Sequence, residues 1–138
     1  RRNAVPMDGL AKRKGKLPWP LKGKVLHSYH SKRFSNVRWQ GLVISAREGS
    51  KVKAIAAGKV VFADWLRGFG MVIIVDHGKG FLSLYGHNQT LLKDSGDYIK
   101  ANDTISLAGR SGGQTQSSLY FEIRQKGNPV NPKRWLKR

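Results

Sequence analysis

The chain has 138 residues, no cysteine and a formal net charge of +18. That length suits a single domain with its own core, and the missing cysteines exclude disulfides and thiolate metal sites while leaving the compartment open. The charge favours an anionic partner (nucleic acid, acidic headgroups, a cell-wall polymer or an acidic protein) and is silent about the fold. No run of eighteen apolar residues occurs, which excludes an apolar membrane-spanning helix. Sixteen glycines between short β-branched and aromatic runs point to an all-β fold. No helical period exceeds two or three turns.

In chain order, residues 1–16 (RRNAVPMDGLAKRKGK) are basic and almost without aliphatic pattern. They read as a linker or arm, so residues 1–17 are expected to be a tether and 18–138 the domain. The polar start without Met or leader is read as the beginning of a fragment, with any export signal outside it. Leu17-Pro18-Trp19-Pro20 is an extended opening that pins an aromatic on the core. Residues 25–30 suit a short edge strand, 31–37 a polar loop, 38–45 (RWQGLVIS) a strand, and Glu48-Gly49-Ser50 a turn.

Residues 52–87 organise the rest. Three apolar runs, 59–66, 71–76 and 81–87, are joined by Arg67-Gly68-Phe69-Gly70 and His77-Gly78-Lys79-Gly80, the pattern of an antiparallel meander. Met71 to Val75 is apolar throughout, as a strand covered on both faces requires. In the third run, alternation puts Leu82 and Leu84 on one side and Phe81, Ser83, Tyr85 and His87 on the other. The functional face is expected to be that of Tyr85 and His87.

Residues 89–96 read as a polar connection with at most a helical turn, and 97–102 as a short extended piece. Residues 103–108 alternate, Ile105 and Leu107 against Thr104 and Ser106. Residues 109–116 (GRSGGQTQ) are a glycine-rich loop. Residues 117–124 are the cleanest strand: Leu119, Phe121 and Ile123 inward, Ser118, Tyr120, Glu122 and Arg124 on the opposite face. Residues 127–131 turn, and Trp135 and Leu136 pack back.

The chemistry is sparse. No serine sits in a nucleophile elbow. His77 beside Asp76 reads as a turn residue. His27 and His30 lack a third ligand for a metal. The glycine loops join strand to strand, without the helix N-terminus that a phosphate cradle needs. Lys79 sits in a turn but lacks the Met neighbour of a lipoyl-type carrier site. His87 ends a buried strand and is left as the histidine of interest.

RWQGLVISAREGSKVKAIAAGKVVFA, LYGH and SLYFEIR, in this order, resemble the lysostaphin/LytM-type zinc peptidases that cut peptidoglycan cross-bridges. The resemblance runs from Trp19 to about Leu136 and implies a mainly antiparallel β-sandwich with long loops and little helix. The family holds zinc with a His, an Asp four residues later, and the second His of a His-x-His pair. Here Trp39 and Val43 stand at the first two positions, and Ser118 and Tyr120 at the His-x-His. Only His87, from the Tyr-x-His motif, is kept. Indole and isopropyl offer no lone pair and a phenol is a poor ligand near neutral pH, so no metal, no cofactor and no catalytic residue are expected.

RWQGLVI, ADWLRGFG, SLYFEIR and Asn131-Pro132-x-x-Trp135-Leu136 are similar to ligand-less members of this family that activate amidases. The resemblance implies a non-catalytic domain in the periplasm of a Gram-negative bacterium, at the division septum. Its partners would be cell-wall amidases and also peptidoglycan, with no nucleic acid. An upstream coiled coil of the full-length protein would link it to a division complex. The expected contact residues are Trp39, Gln40, Val43, Phe69, Tyr85, His87, Ser118, Tyr120 and Arg124, because aromatics with arginine are the types that dominate interface energetics. Val43 and Trp39 serve equally as plugs of an emptied site. Open alternatives are an active peptidase using His87 with other ligands, and a plain binding module for peptidoglycan or nucleic acid resting on the charge.

Overall fold

The computed structural model describes residues 4–138; the first three residues of the expected arm lie outside the described residues. Twelve strands are described: β1 Val25–His27, β2 Lys32–Phe34, β3 Val37–Arg38, β4 Leu42–Ser45, β5 Lys51–Lys53, β6 Gly58–Leu66, β7 Gly70–Gly78, β8 Phe81–Leu91, β9 Tyr98–Ile99, β10 Thr104–Ala108, β11 Ser118–Gln125 and β12 Asn128–Val130. Helix is confined, among the described residues, to single 3₁₀ turns at Ala11–Arg13 and Pro132–Arg134. The main sheet runs β1-β4-β11-β8-β7-β6-β9, all antiparallel, and β10 bridges β5 to the far end of β8. The expected all-β, mainly antiparallel fold is what the chain adopts.

One face of the sheet meets the principal core. Leu119, Phe121 and Ile123 of β11, Ile44 of β4 and Ile73 and Val75 of β7 are buried there with Val52, Ile55, Ile99 and Ile105. The inward side of β11 is the one its alternation requires. Met71 to Val75 is covered on both faces, since Val72 and Ile74 belong to a second cluster on the opposite side.

Four expectations are corrected. Residues 31–37 are not a loop: they supply most of the hairpin β2–β3, missed because it is basic and exposed and so lacks alternation. The strand expected over 38–45 is regular only from Leu42. The strand ending at His87 continues to Leu91, where β10 pairs with it. The basic arm is laid on the domain from Gly9 onward. Gly9 N–H donates to His77 O at 2.8 Å, Leu10 and Leu17 are buried in the core, and Lys14 Nζ sits 4.9 Å over the Trp135 ring. Two leucines among many cations gave no period, yet they bury as core residues do.

The fifth correction moves the functional face. Met71 pairs with Asn88 while Ile73 pairs with Tyr85, so β8 carries one extra residue between them. His87 there has φ +63°. Such a bulge resets the alternation. Upstream of it Phe81 and Tyr85 face the core, and Leu84 faces the other way. Downstream, His87 has crossed to Leu84's side. Tyr85 is therefore fully buried against Phe121, ring centroids 5.3 Å apart, and is not a surface contact residue.

His77 is not a turn residue either, because its ring enters the core. Nδ1 donates to Ala57 O at 2.8 Å, and Nε2 lies 2.7 Å from Ser83 Oγ. Ser83 Oγ is 2.8 Å from Tyr85 Oη, which accepts from Ile55 N–H at 3.2 Å. With His77 neutral every proton in this chain has an acceptor: Tyr85 donates to Ser83 and Ser83 to His77. Protonating Nε2 turns it from acceptor to donor, so the chain is one acceptor short and a hydroxyl proton of Ser83 or Tyr85 is left without a partner in it. Burial accordingly pushes His77 down to about 4, and pushes Tyr85 up to about 12.

The unfolded chain takes up this proton near the usual 6.5, so the stabilisation is complete above that pH and is lost as pH falls toward 4. The loss expected at pH 5 is about 2 kcal/mol. Urea unfolding at pH 7 and pH 5 should show it in the wild type and a much flatter profile in His77→Gln. Parallel profiles in the two proteins would contradict the assignment.

Candidate functional site

The sheet face opposite the core carries a second buried cluster: Val43 of β4, Val72 of β7, Leu84 of β8 and Tyr120 of β11, ringed by Trp39, Phe69, Leu66, Ile74, Leu26 and Phe62. Cross-strand register explains the gathering. Tyr120 is opposite Val43 on one neighbour and Gly86 on the other. Gly86 lies against both Phe69 and Tyr120: a Cβ there would be in ordinary contact, 3.4 Å from Phe69 O and 3.6 Å from Tyr120 Cβ. The Phe69 ring stands 5.4 Å from the Tyr120 ring. An open groove of about 210 Å³ continues past it, lined by Leu66, Phe69, Ile74, Leu82 and Leu84, with Arg124 at its edge.

Beneath Tyr120 lies a fully buried carboxylate. Tyr120, Glu122 and Arg124 alternate along β11 and so share a face. Tyr120 Oη donates to Glu122 Oε2, and Arg124 Nε donates to Glu122 Oε1 at 2.6 Å. Gly41 makes space for the carboxylate, because a Cβ there would come within 2.8 Å of Glu122 Cγ. Burial, and then the Glu122 charge, push Tyr120 well above the usual phenol range. Its hydrogen bond to Glu122 holds Arg124 above its ordinary value. The array thus presents a protonated phenol and a fixed guanidinium with about a third of its side chain exposed.

At the other end of the face, the Trp39 ring stacks on His27 with centroids 4.6 Å apart, and the Arg33 guanidinium covers it at 4.2 Å. The Trp39 ring stands 6.3 Å from Tyr120. Its indole N–H is buried without a partner. His87 Nδ1 donates to Ser111 O at 2.9 Å, leaving Nε2 as the lone-pair nitrogen, and its ring is 6.3 Å from Tyr120. Burial lowers the His87 pKa below the usual histidine value, so the neutral ring dominates at neutral pH.

The structure brings together Trp39, Val43, Phe69, His87, Tyr120 and Arg124 on this face. Phe69 is half-buried against Tyr120 rather than projecting freely. Ser118 is buried at the start of β11, opposite Ser45. Gln40 and Trp39 open with Tyr29, His30 and Pro129 onto a separate hollow, so neither lines the groove. Tyr85 is on the core side. The residues that sequence reasoning missed are Leu66, Ile74, Leu82, Leu84, Glu122 and Arg33. Alternation put Leu82 and Leu84 on the side away from Tyr85 and His87, which was the expected functional face. Glu122 was placed on the right face, but nothing in the strand pattern showed that it is the shared acceptor.

The donor set does not fit a zinc ion. Val43 has no donor atom, Trp39 offers an indole engaged in stacking, and Tyr120 keeps its phenol proton, which it donates to Glu122. No group of three or more His, Asp or Glu suited to a metal occurs among the described residues.

An antiparallel sheet that carries Trp39, Val43 and Tyr120 packed together on one face, with an apolar groove beside them, defines a LytM-type domain. Residues 37–132 match the model of peptidase family M23, and the chain belongs to that family. It is 51% identical over 130 residues to "Murein hydrolase activator EnvC" of Escherichia coli strain K12, spanning 94% of this chain and 31% of that one. It is 40% identical over 119 residues to "Murein hydrolase activator NlpD" of the same strain, spanning 86% of this chain and 30% of that one. The chain thus spans about a third of the length of these relatives. The backbone superposes on a zinc containing peptidase from Vibrio cholerae with a TM-score of 0.80 over 87% of this chain and 40% of that one. At 22% identity that likeness speaks for the fold alone.

Proposed function

We propose that this domain is not a peptidase and that its groove binds and activates an N-acetylmuramoyl-L-alanine amidase of the cell wall. The observation that carries the reading is an apolar groove with one cation fixed at its edge by Glu122, set beside a packed cluster of Trp39, Val43 and Glu122-bound Tyr120, the residues that the resemblance puts at the family's ligand positions. Such a site can seat an apolar anchor and pair a carboxylate beside it. It has no means of activating water on a metal. The names of the relatives, murein hydrolase activators, support the same direction.

Activation then follows from differential affinity: the groove prefers the amidase conformation whose active site is open and shifts the population toward it. The reading places the protein in the periplasm of a Gram-negative bacterium, at the septum, tethered through an upstream coiled coil to the division complex.

The test is dye release from labelled cell wall. This chain alone should release nothing, with or without added zinc, and should accelerate release when an amidase is present. Zinc-dependent release by the chain alone would establish a peptidase instead.

A further inference from the structure

The groove leaves the charge of +18 unexplained, since it uses few of the 26 Lys and Arg residues. Two hollows of about 480 and 630 Å³ lie elsewhere and share Trp19 and Lys137. The first adds Lys22, Lys51 and Lys53, and the second Lys133, Arg134 and Arg138. No aspartate or glutamate lines either one. Neither of the ion pairs Arg110 with Glu48 and Arg124 with Glu122 involves these cations. Trp19 is half-buried between the two hollows. It is held there by donation from Nε1 to Lys137 O at 2.7 Å and by packing against the principal core. That core lies on the opposite side of the sheet from the groove, so the two sites can be filled together.

We infer that this basic trough is a second binding site, for a carboxylate-bearing glycan strand, peptidoglycan itself, with Trp19 as the platform for a sugar ring. A fixed indole face between rows of cations suits a linear polymer that alternates rings with carboxylates. A lipid surface would be met by exposed apolar side chains, and the most exposed ones, Phe34 and Trp65, are not part of the trough. The site rests on the reading of the domain as a cell-wall protein. It would hold the activator on the substrate of the enzyme it activates.

The experiment is co-sedimentation of the 138-residue chain with purified sacculi. Lys51→Glu/Lys53→Glu changes two exposed positions of β5, and Trp19→Phe tests the platform without emptying its packing. The double variant should bind sacculi about tenfold more weakly. Sacculi whose carboxylates have been amidated should lose the wild type to the same extent. Phe69→Ala, in the groove, should sediment as the wild type does. Amidase activation on soluble wall fragments should be unchanged by Lys51→Glu/Lys53→Glu, which separates this site from the groove. Undiminished sedimentation of the double variant, or equal binding to amidated sacculi, would overturn the inference. So would tighter binding to single-stranded DNA or to anionic vesicles at the same salt.

Discussion

Phe69→Ala is expected to raise the concentration of domain needed for half-maximal amidase activation by about thirtyfold, the cost of one interface anchor worth about 2 kcal/mol. Phe69 is chosen because it is half-buried against Tyr120 and lines the open part of the groove, so part of its surface is free to meet a partner. It sits in the β6–β7 turn rather than in a strand, and what the fold takes from it is its backbone: His87 N–H donates to Phe69 O at 2.7 Å, a bond alanine keeps. The stability loss should stay near 1–2 kcal/mol. Trp65→Ala is the matched control. It removes a larger aromatic from the same hairpin, 55% exposed and outside the groove, and should leave activation unchanged. Equal losses in both variants would move the contact surface to the outside of the hairpin.

The largest effect on the fold is expected from Glu122→Ala. The carboxylate is fully buried and is the shared acceptor for Tyr120 and Arg124. Its removal leaves a buried hydroxyl without its partner and a guanidinium with one side still in protein, for a loss of about 3 kcal/mol in urea unfolding. Arg124 is partly exposed and can turn to water, which holds the loss below that of a fully enclosed pair. The loss should be recovered in large part by the triple change Tyr120→Phe, Glu122→Leu, Arg124→Met, which removes donors and acceptor together. That triple variant should be stable yet fail to activate. A stable, fully activating triple variant would show that the array serves the fold alone.

How much of this was legible in the sequence depends on the range of the interaction. The alternation of β11 sorted Leu119, Phe121 and Ile123 from Tyr120, Glu122 and Arg124 correctly, because a regular strand has no other way to fold. The same logic failed one strand away. A single extra residue at His87 reverses the alternation, and a non-glycine residue at positive φ leaves no local mark. Tyr85 was therefore put on the wrong side, and Leu82 and Leu84 with it. The His77 network was hidden because its partners come from distant segments, Ile55 and Ala57 from the bend before β6 and Ser83 from β8. The trough was hidden for the same reason: Trp19 and Lys137 are 118 residues apart in sequence. That Trp39, Val43 and Tyr120 stand at the family's ligand positions is what the resemblance implies, and no pattern within the chain carries it. Chemistry then decided what these residues can and cannot do.

The decisive measurement is the amide spectrum of the isotope-labelled domain as an amidase is added. Perturbations should concentrate at Phe69, Leu84 and Arg124 along the groove and at Val43 and Tyr120 in the cluster packed beside it, and should vanish in Phe69→Ala at the same concentrations. Perturbations confined to the Lys51, Lys53 and Lys137 face, or none at amidase concentrations that produce activation, would contradict the claim that the groove is the docking surface.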